Sequence, residues 1–154
     1  MRTPRMPKSR ARASDARLEI RRLLKGSRLR CTPAREAVLR LLCRVRRPLA
    51  HAQIAAARGM AGLDRVTVYR TLSALQEAGL VHRVQDKDGV WRFCAHGSRE
   101  QGCPGNHPHF LCMRCGEMRC LTAQSLPWVE TSAGEQVVGK QLVVYGLCAG
   151  CASR

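Results

Sequence analysis

Two Cys-x-x-Cys pairs, Cys112-Met113-Arg114-Cys115 and Cys148-Ala149-Gly150-Cys151, stand 32 residues apart in a chain of 154. The turn inside each pair aims both sulfurs at one point, and two such pairs supply the four thiolates of a tetrahedral zinc site. Closed in this way, the site leaves no position for water and is structural rather than catalytic. The chain must therefore bring residues 112–115 and 148–151 together. A redox dithiol at each pair is the competing reading, but neither pair stands at the strand-to-helix start of a thioredoxin-like unit.

The surroundings favour metal over disulfides. No apolar run approaches the 18 or so residues of a membrane span, and Met1 to Arg12 is basic without the apolar centre of a secretory signal. The expected location is cytoplasmic, where thiols stay reduced and the nine cysteines read as ligands or small buried groups.

Charge is divided along the chain. Before Gln85 there are 20 Lys and Arg against 5 Asp and Glu, and from Gln85 onward 7 against 6. Seven of the nine cysteines lie in the second part. A single arginine is most simply a solvated side chain, but a surplus this one-sided implies a polyanion to neutralise. Two compositions imply two modules.

The basic module reads as short helices. Ser14 and Asp15 cap a segment with Leu18, Ile20, Leu23 and Leu24, ended by Gly26 as a C′ residue. Thr32-Pro33 opens a second, in which Val38, Leu41, Leu42 and Val45 recur at helical spacing until Pro48. A third runs from about His51 to Arg58, before Gly59. The fourth starts near Asp64 or Arg65, buries Val68, Leu72 and Leu75, and stops at Gly79. Leu80 to Gln85 and Val90 to Cys94 then flank a turn at Asp88-Gly89 and read as a β-hairpin. Helices followed by a two-stranded wing are the plan of a winged helix-turn-helix, whose recognition helix enters the major groove of DNA. Tyr69 and Arg70 are placed to reach base edges, with Arg65, Thr67 and Arg35 as further candidate contacts.

A second set of ligand-type residues comprises His82, Cys94, His96, Cys103, His107, His109 and Cys120. His107 and His109 are two apart, so in a strand they share one face. His82 and Cys94 fall on opposite arms of the wing hairpin and can meet.

These elements resemble the ferric uptake regulator family. The resemblance rests on Thr32-Pro33-Ala34-Arg35, Thr67-Val68-Tyr69-Arg70-Thr71-Leu72, Gly79-Leu80-Val81, the approach to Cys112-x-x-Cys115-Gly116, and Tyr145-Gly146-Leu147-Cys148-x-x-Cys151, all in family order from about Leu18 to Cys151. Gly79-Leu80-Val81-His82 followed by Trp91-Arg92-Phe93-Cys94 resembles the zinc uptake regulator branch in particular. Its soft thiolate and imidazole donors also favour zinc, whereas iron- and manganese-type members use His and carboxylate.

The Arg-rich, Pro-containing start at 1–13 reads as a basic disordered tail, and the resemblance implies an α+β fold after it: a winged-helix DNA-binding domain at 14–95, a hinge at 96–106, and a small zinc-stapled α/β dimerisation domain at 107–154. It implies a homodimer on palindromic, double-stranded operator DNA, with neither membrane nor small-molecule substrate as partner. Zinc would occupy one structural site (Cys112, Cys115, Cys148, Cys151) and at least one regulatory site per subunit. The chain departs from the family where a Glu ligand is usual, because Cys120 stands there. The regulatory set expected is His82, Cys94, one of His107 or His109, and Cys120. Cys103 is a further candidate, in a stretch (98–106) where a shorter His-bearing loop is common. An extra thiol also signals a softer metal or a redox input.

Three rival readings follow. An iron-, manganese- or peroxide-responsive member would share the fold, and a constitutive DNA-binding protein would keep only the structural zinc. A zinc-dependent base deaminase needs His-x-Glu and Pro-Cys-x-x-Cys. Neither motif is present, and no enzyme is expected.

Overall fold

A computed structural model of the chain describes residues 8–95 and 107–154, with side chains from residue 15 onward. The hinge expected at 96–106, with His96 and Cys103, lies outside the described residues, as does the tail from 1 to 7. Residues 8–13 depart from the expectation of disorder: α1 spans Lys8–Gly26 and so begins six residues before Ser14. Ala11, Ala13 and the neighbouring Arg10 and Arg12 are good helix formers, and the last helix breaker before them is Pro7.

The C-terminal end of α1 also differs from expectation. Gly26 is its last helical residue, and the left-handed position is taken by Arg28, with φ of 57°. The Leu29 N–H donates to the Leu24 carbonyl (2.9 Å) and the Arg28 N–H to that of Lys25 (3.0 Å), a Schellman closure. Ile20 and Leu24 are buried, whereas Leu18 is exposed. Arg21 Nε donates to Glu36 Oε1 at 2.8 Å and Arg17 Nε to Oε2 at 3.4 Å, which ties α1 to the next helix.

That helix, α2, is Pro33–Val45, and Thr32 caps it by accepting from the Arg35 N–H at 3.3 Å. Next come β1 (Leu49–Ala50), α3 (His51–Ala55) and α4 (Arg65–Glu77). At two residues, β1 is too short to have shown strand alternation, and α3 closes three residues earlier than expected. Asp64 caps α4 by accepting from the Thr67 N–H at 2.7 Å. Gly79 ends it with φ of +69°, while Leu80 N–H reaches back to the Leu75 carbonyl. A Cβ at Gly79 would be strained by that backbone, at about 1–2 kcal/mol.

Val68, Leu72 and Leu75 are fully buried among Leu24, Val38, Leu42, Ile54 and Phe93. Each such Leu or Val contributes on the order of 1.5–3 kcal/mol relative to exposure. One sheet lies against these helices in the order β1-β3-β2, with β2 at His82–Gln85 and β3 at Trp91–Cys94. The hairpin register sets His82 opposite Cys94 and Val84 opposite Arg92.

A second sheet has the order β5-β4-β6, from β4 (His109–Cys112), β5 (Met118–Cys120) and β6 (Val143–Gly146). β4 and β5 are antiparallel, with His109 opposite Cys120, and β6 runs parallel to β4. The crossover at 121–142 contains no helix or strand, and a short helix α5 (Ala149–Ala152) ends the described elements. Among the described residues, no helix is long and apolar enough to cross a membrane.

The two sheets meet through a small apolar cluster. Val84 of β2 packs with Leu111 and Met118, and Val143 lies against them. Gln141 adds a polar tether, accepting from the Gln85 N–H at 3.1 Å and donating to its carbonyl at 3.4 Å.

Candidate metal centres and nucleic-acid face

The four cysteines of the two Cys-x-x-Cys pairs converge. Cys112 ends β4, Cys115 lies within a tight turn closed by the Gly116 N–H on the Cys112 carbonyl at 2.9 Å, and Cys148 and Cys151 bracket the start of α5. The parallel pairing of Cys112 with Gly146 delivers the second pair to the first. All four sulfurs lie within 4.8 Å of one another, and Cys115 and Cys148 are 3.9 Å apart.

Their electrostatics favour one thiolate among neighbouring thiols. Backbone N–H groups of Cys115 and Cys148 push the Cys112 thiol down to about 6, and the Cys148 N–H lies 3.3 Å from its sulfur. Hydrogen bonding with the Cys148 thiol, together with burial, pushes Cys151 up to about 12. Four thiols so close cannot all ionise beside one another without a cation, and a tetrahedral divalent ion fits the donor set.

The second cluster is built by strand alternation in both sheets. On the first, His82 and Cys94 are cross-strand partners, and Val84 lies on the same face two residues on. On the second, His109 and Cys120 are cross-strand partners, and Leu111 and Met118 continue their face. Each sheet therefore presents a His/Cys pair beside an apolar patch. The patches pack together, and the pairs are brought face to face. His82 Nε2 is 3.2 Å from His109 Nε2, and Cys94 Sγ is 3.3 Å from Cys120 Sγ.

His107, just before β4, joins this cluster. Its ring is edge-on to His82, with centroids 5.2 Å apart, and tilted against His109 at 4.7 Å. One donor atom from each of His82, His107, His109 and Cys120 lies within 4.8 Å of all the others, with Cys94 beside Cys120. Cys94, His107 and His109 are buried, and His109 Nδ1 has no hydrogen-bond partner among the described residues. Leaving a buried imidazole nitrogen unpaired is costly, and facing imidazoles and thiols suit a shared soft cation. Both histidines of the 107/109 pair are thus near, where the sequence reading left one to be chosen.

On α4, Arg65, Val66, Tyr69 and Arg70 are exposed, so one helix face carries two arginines and a tyrosine. Thr67 is placed differently: its hydroxyl donates to Asp64 Oδ2 at 2.8 Å and is committed to the cap. Arg35 sits half-buried at the start of α2 and donates to the Arg30 carbonyl at 3.0 Å. The sequence reading passed over His51. Its Nε2 lies 3.0 Å from the Arg65 carbonyl, and its ring is edge-on to Tyr69 at 6.3 Å, so it holds the exposed tyrosine from behind. No spacing rule links residues 51 and 69, because they meet only through the packing of α3 on α4.

Comparison with known proteins gives a consistent picture. Residues 25–141 match the model of the ferric uptake regulator family. The ferric uptake regulation protein of Bacillus subtilis is 28% identical over 139 residues, covering 86% of this chain and 91% of that protein. Among solved structures, a zinc uptake regulator complexed with zinc and DNA superposes with a TM-score of 0.63 at 22% identity, over 91% of this chain and 95% of that one. The structure of holo XcZur superposes with a TM-score of 0.59 at 26% identity, over 92% and 99%.

Proposed function

The chain belongs to the ferric uptake regulator family of metal-dependent transcriptional regulators, and from that premise we propose that it is a zinc-responsive repressor. In this reading it binds palindromic operator DNA as a zinc-loaded homodimer and controls genes of zinc homeostasis. Its working parts are a DNA-binding module at 14–95 and a dimerisation module at 107–154.

The observation that carries the zinc assignment is the facing of His82 and Cys94 on one sheet by His109 and Cys120 on the other. Two thiols among imidazoles, with no carboxylate in the cluster among the described residues, suit zinc better than iron(II) or manganese(II). His82, Cys94, His109 and Cys120 hold the regulatory ion, with His107 adjacent and Cys103 a further candidate. Cys112, Cys115, Cys148 and Cys151 hold the structural one.

When bound, the regulatory ion supplies directional bonds that cross between the sheets. The chain converts that link into DNA affinity. His82 begins two residues after Leu80, and Leu80 and Val81 are buried against the end of α4, so the orientation of the wing is passed to the recognition helix. Fixing the wing against the second sheet favours one spacing of the two recognition helices in a dimer. Arg65, Tyr69 and Arg70 then meet the major groove while Arg35 and the other N-terminal arginines bind phosphate. A dimer is supported by β6, an edge strand whose Val144 and Tyr145, followed by Leu147, are exposed.

The test is an operator-binding titration against free zinc, iron(II) and manganese(II), repeated with His82→Ala and Cys94→Ser. Zinc should raise operator affinity at least tenfold, and both variants should abolish the rise. A larger response to iron(II) or manganese(II) would assign the chain to another branch. Indifference to all three would make it a constitutive DNA-binding protein.

A further inference from the structure

The regulatory cluster contains more than metal donors. Cys94 and Cys120 come from different sheets, yet their sulfurs are 3.3 Å apart. Closing them to a disulfide, at about 2.05 Å, requires a shift of only about 1.2 Å shared between two side chains. Their exposures differ in a useful way: Cys94 is fully buried, while Cys120 is partly open to solvent. An oxidant therefore meets Cys120 first, with Cys94 waiting behind it.

We propose that Cys94 and Cys120 are an oxidisable dithiol, converted by a hydroperoxide to a disulfide when the regulatory site is free of zinc, and that the disulfide prevents the site from taking metal. The Cys120 thiolate attacks one oxygen of the hydroperoxide. A sulfur–oxygen bond forms, the oxygen–oxygen bond breaks, and the departing alkoxide takes a proton and leaves as alcohol, or as water from hydrogen peroxide. The Cys94 thiol then attacks the sulfenic sulfur of Cys120, forming the disulfide, and the hydroxide released takes the Cys94 proton as water. In sum, two thiols lose two electrons and the hydroperoxide gains them.

Five of the other described cysteines are less suited. The four of the structural site are held as a closed set, where bound zinc occupies every thiolate. Burial pushes the Cys43 thiol up to about 11, which leaves little nucleophilic thiolate. On the zinc reading, the regulatory thiols are exchanged between bound and free as zinc rises and falls. Zinc and oxidation then exclude one another, since each consumes the same two sulfurs. Zinc depletion opens the pair to peroxide, and the disulfide keeps the regulator unloaded until it is reduced.

The consequence for regulation rests on the zinc reading above, whereas the dithiol chemistry does not, and the experiment separates them. Full-length protein carrying only its structural zinc is treated with stoichiometric hydrogen peroxide and divided: one portion is alkylated, digested and mapped by mass spectrometry, and the other is titrated intact with zinc. The expected result is a Cys94–Cys120 cross-linked peptide lighter by two hydrogen atoms, uptake of one zinc fewer per chain than the untreated protein, and recovery of that uptake on reduction. Prior loading with a second zinc should suppress the cross-link, and Cys94→Ser should leave Cys120 trapped as sulfenic acid. Free Cys94 and Cys120 after treatment, or a cross-linked protein that still takes its second zinc, would overturn the proposal. A cross-link in protein that takes no second zinc even when reduced would refute the zinc reading and leave the dithiol standing.

Discussion

The Nε2 atoms of His82 and His109 lie 3.2 Å apart although the residues belong to different sheets. Two neutral rings can share one proton at that distance, or both can turn a lone pair toward a common cation, but two imidazolium rings would repel. Protons and metal therefore compete for the same atoms. Zinc affinity of the regulatory site should fall on acidification, because each donor binds metal only in its deprotonated form. His82→Ala should weaken it by at least about 100-fold, more than an orienting neighbour alone would account for. Isothermal titration with structural zinc already in place measures both, and a variant that binds as wild type removes His82 from the site.

Cys120 and Cys115 should fail in different ways. Cys120→Ser should lower regulatory zinc affinity by about 10- to 100-fold or more while leaving the thermal transition nearly in place. Cys115→Ser removes a corner of the site that joins β4 to the start of α5. Structural zinc supplies about 10–16 kcal/mol to small zinc-dependent folds, so this variant should lose cooperative melting of the second sheet. Unchanged zinc affinity in Cys120→Ser would remove that thiol from the ligand set.

The wing tip supplies a pH-dependent anchor. Asp86 Oδ1 accepts from the N–H groups of Asp88 (3.0 Å) and Val90 (2.9 Å), and Oδ2 accepts from Arg92 Nε at 2.9 Å. Burial alone would raise the carboxyl pKa, but these donors outweigh it and hold it below its usual value of 3.8. The stabilisation is thus present above about pH 4 and is lost as pH falls through the lowered folded value. Asp86→Asn should cost about 1–3 kcal/mol at pH 7, with the difference from wild type shrinking toward pH 3. Thermal melts across that range measure it.

DNA binding and zinc binding should be linked both ways. Operator should tighten regulatory zinc binding by the factor with which zinc tightens operator binding. The surplus of 20 Lys and Arg over 5 Asp and Glu before Gln85 predicts a steep salt dependence, with a log–log slope of about −0.9 per phosphate neutralised. Tyr69→Ala should lower discrimination for the operator more than it changes this slope. A slope near zero would contradict the electrostatic reading of the arginines.

Much of this was legible in the chain. Asp64, Thr32 and Gly79 mark helix ends through local hydrogen bonding and backbone preference, so the bounds of α2 and α4 follow from a few neighbouring residues. Leu72 and Leu75 were readable as core by their spacing. α1 was less legible at both ends, because helix formers extend it back to Lys8 and an arginine, not Gly26, adopts the left-handed turn. The two-residue β1 carries no period at all.

The sequence by itself determined the donors of the Cys-x-x-Cys pairs, the basic module and the caps, since each depends on residues close along the chain or on composition. Only the tertiary structure decided that His82 faces His109, that Cys94 lies against Cys120, that both His107 and His109 enter the cluster, and that His51 backs Tyr69. These meetings depend on how two sheets and two helices pack. Val84 against Leu111 and Met118 sets the sheet-to-sheet approach, and apolar packing of that kind leaves no signature in the spacing of the residues it brings together.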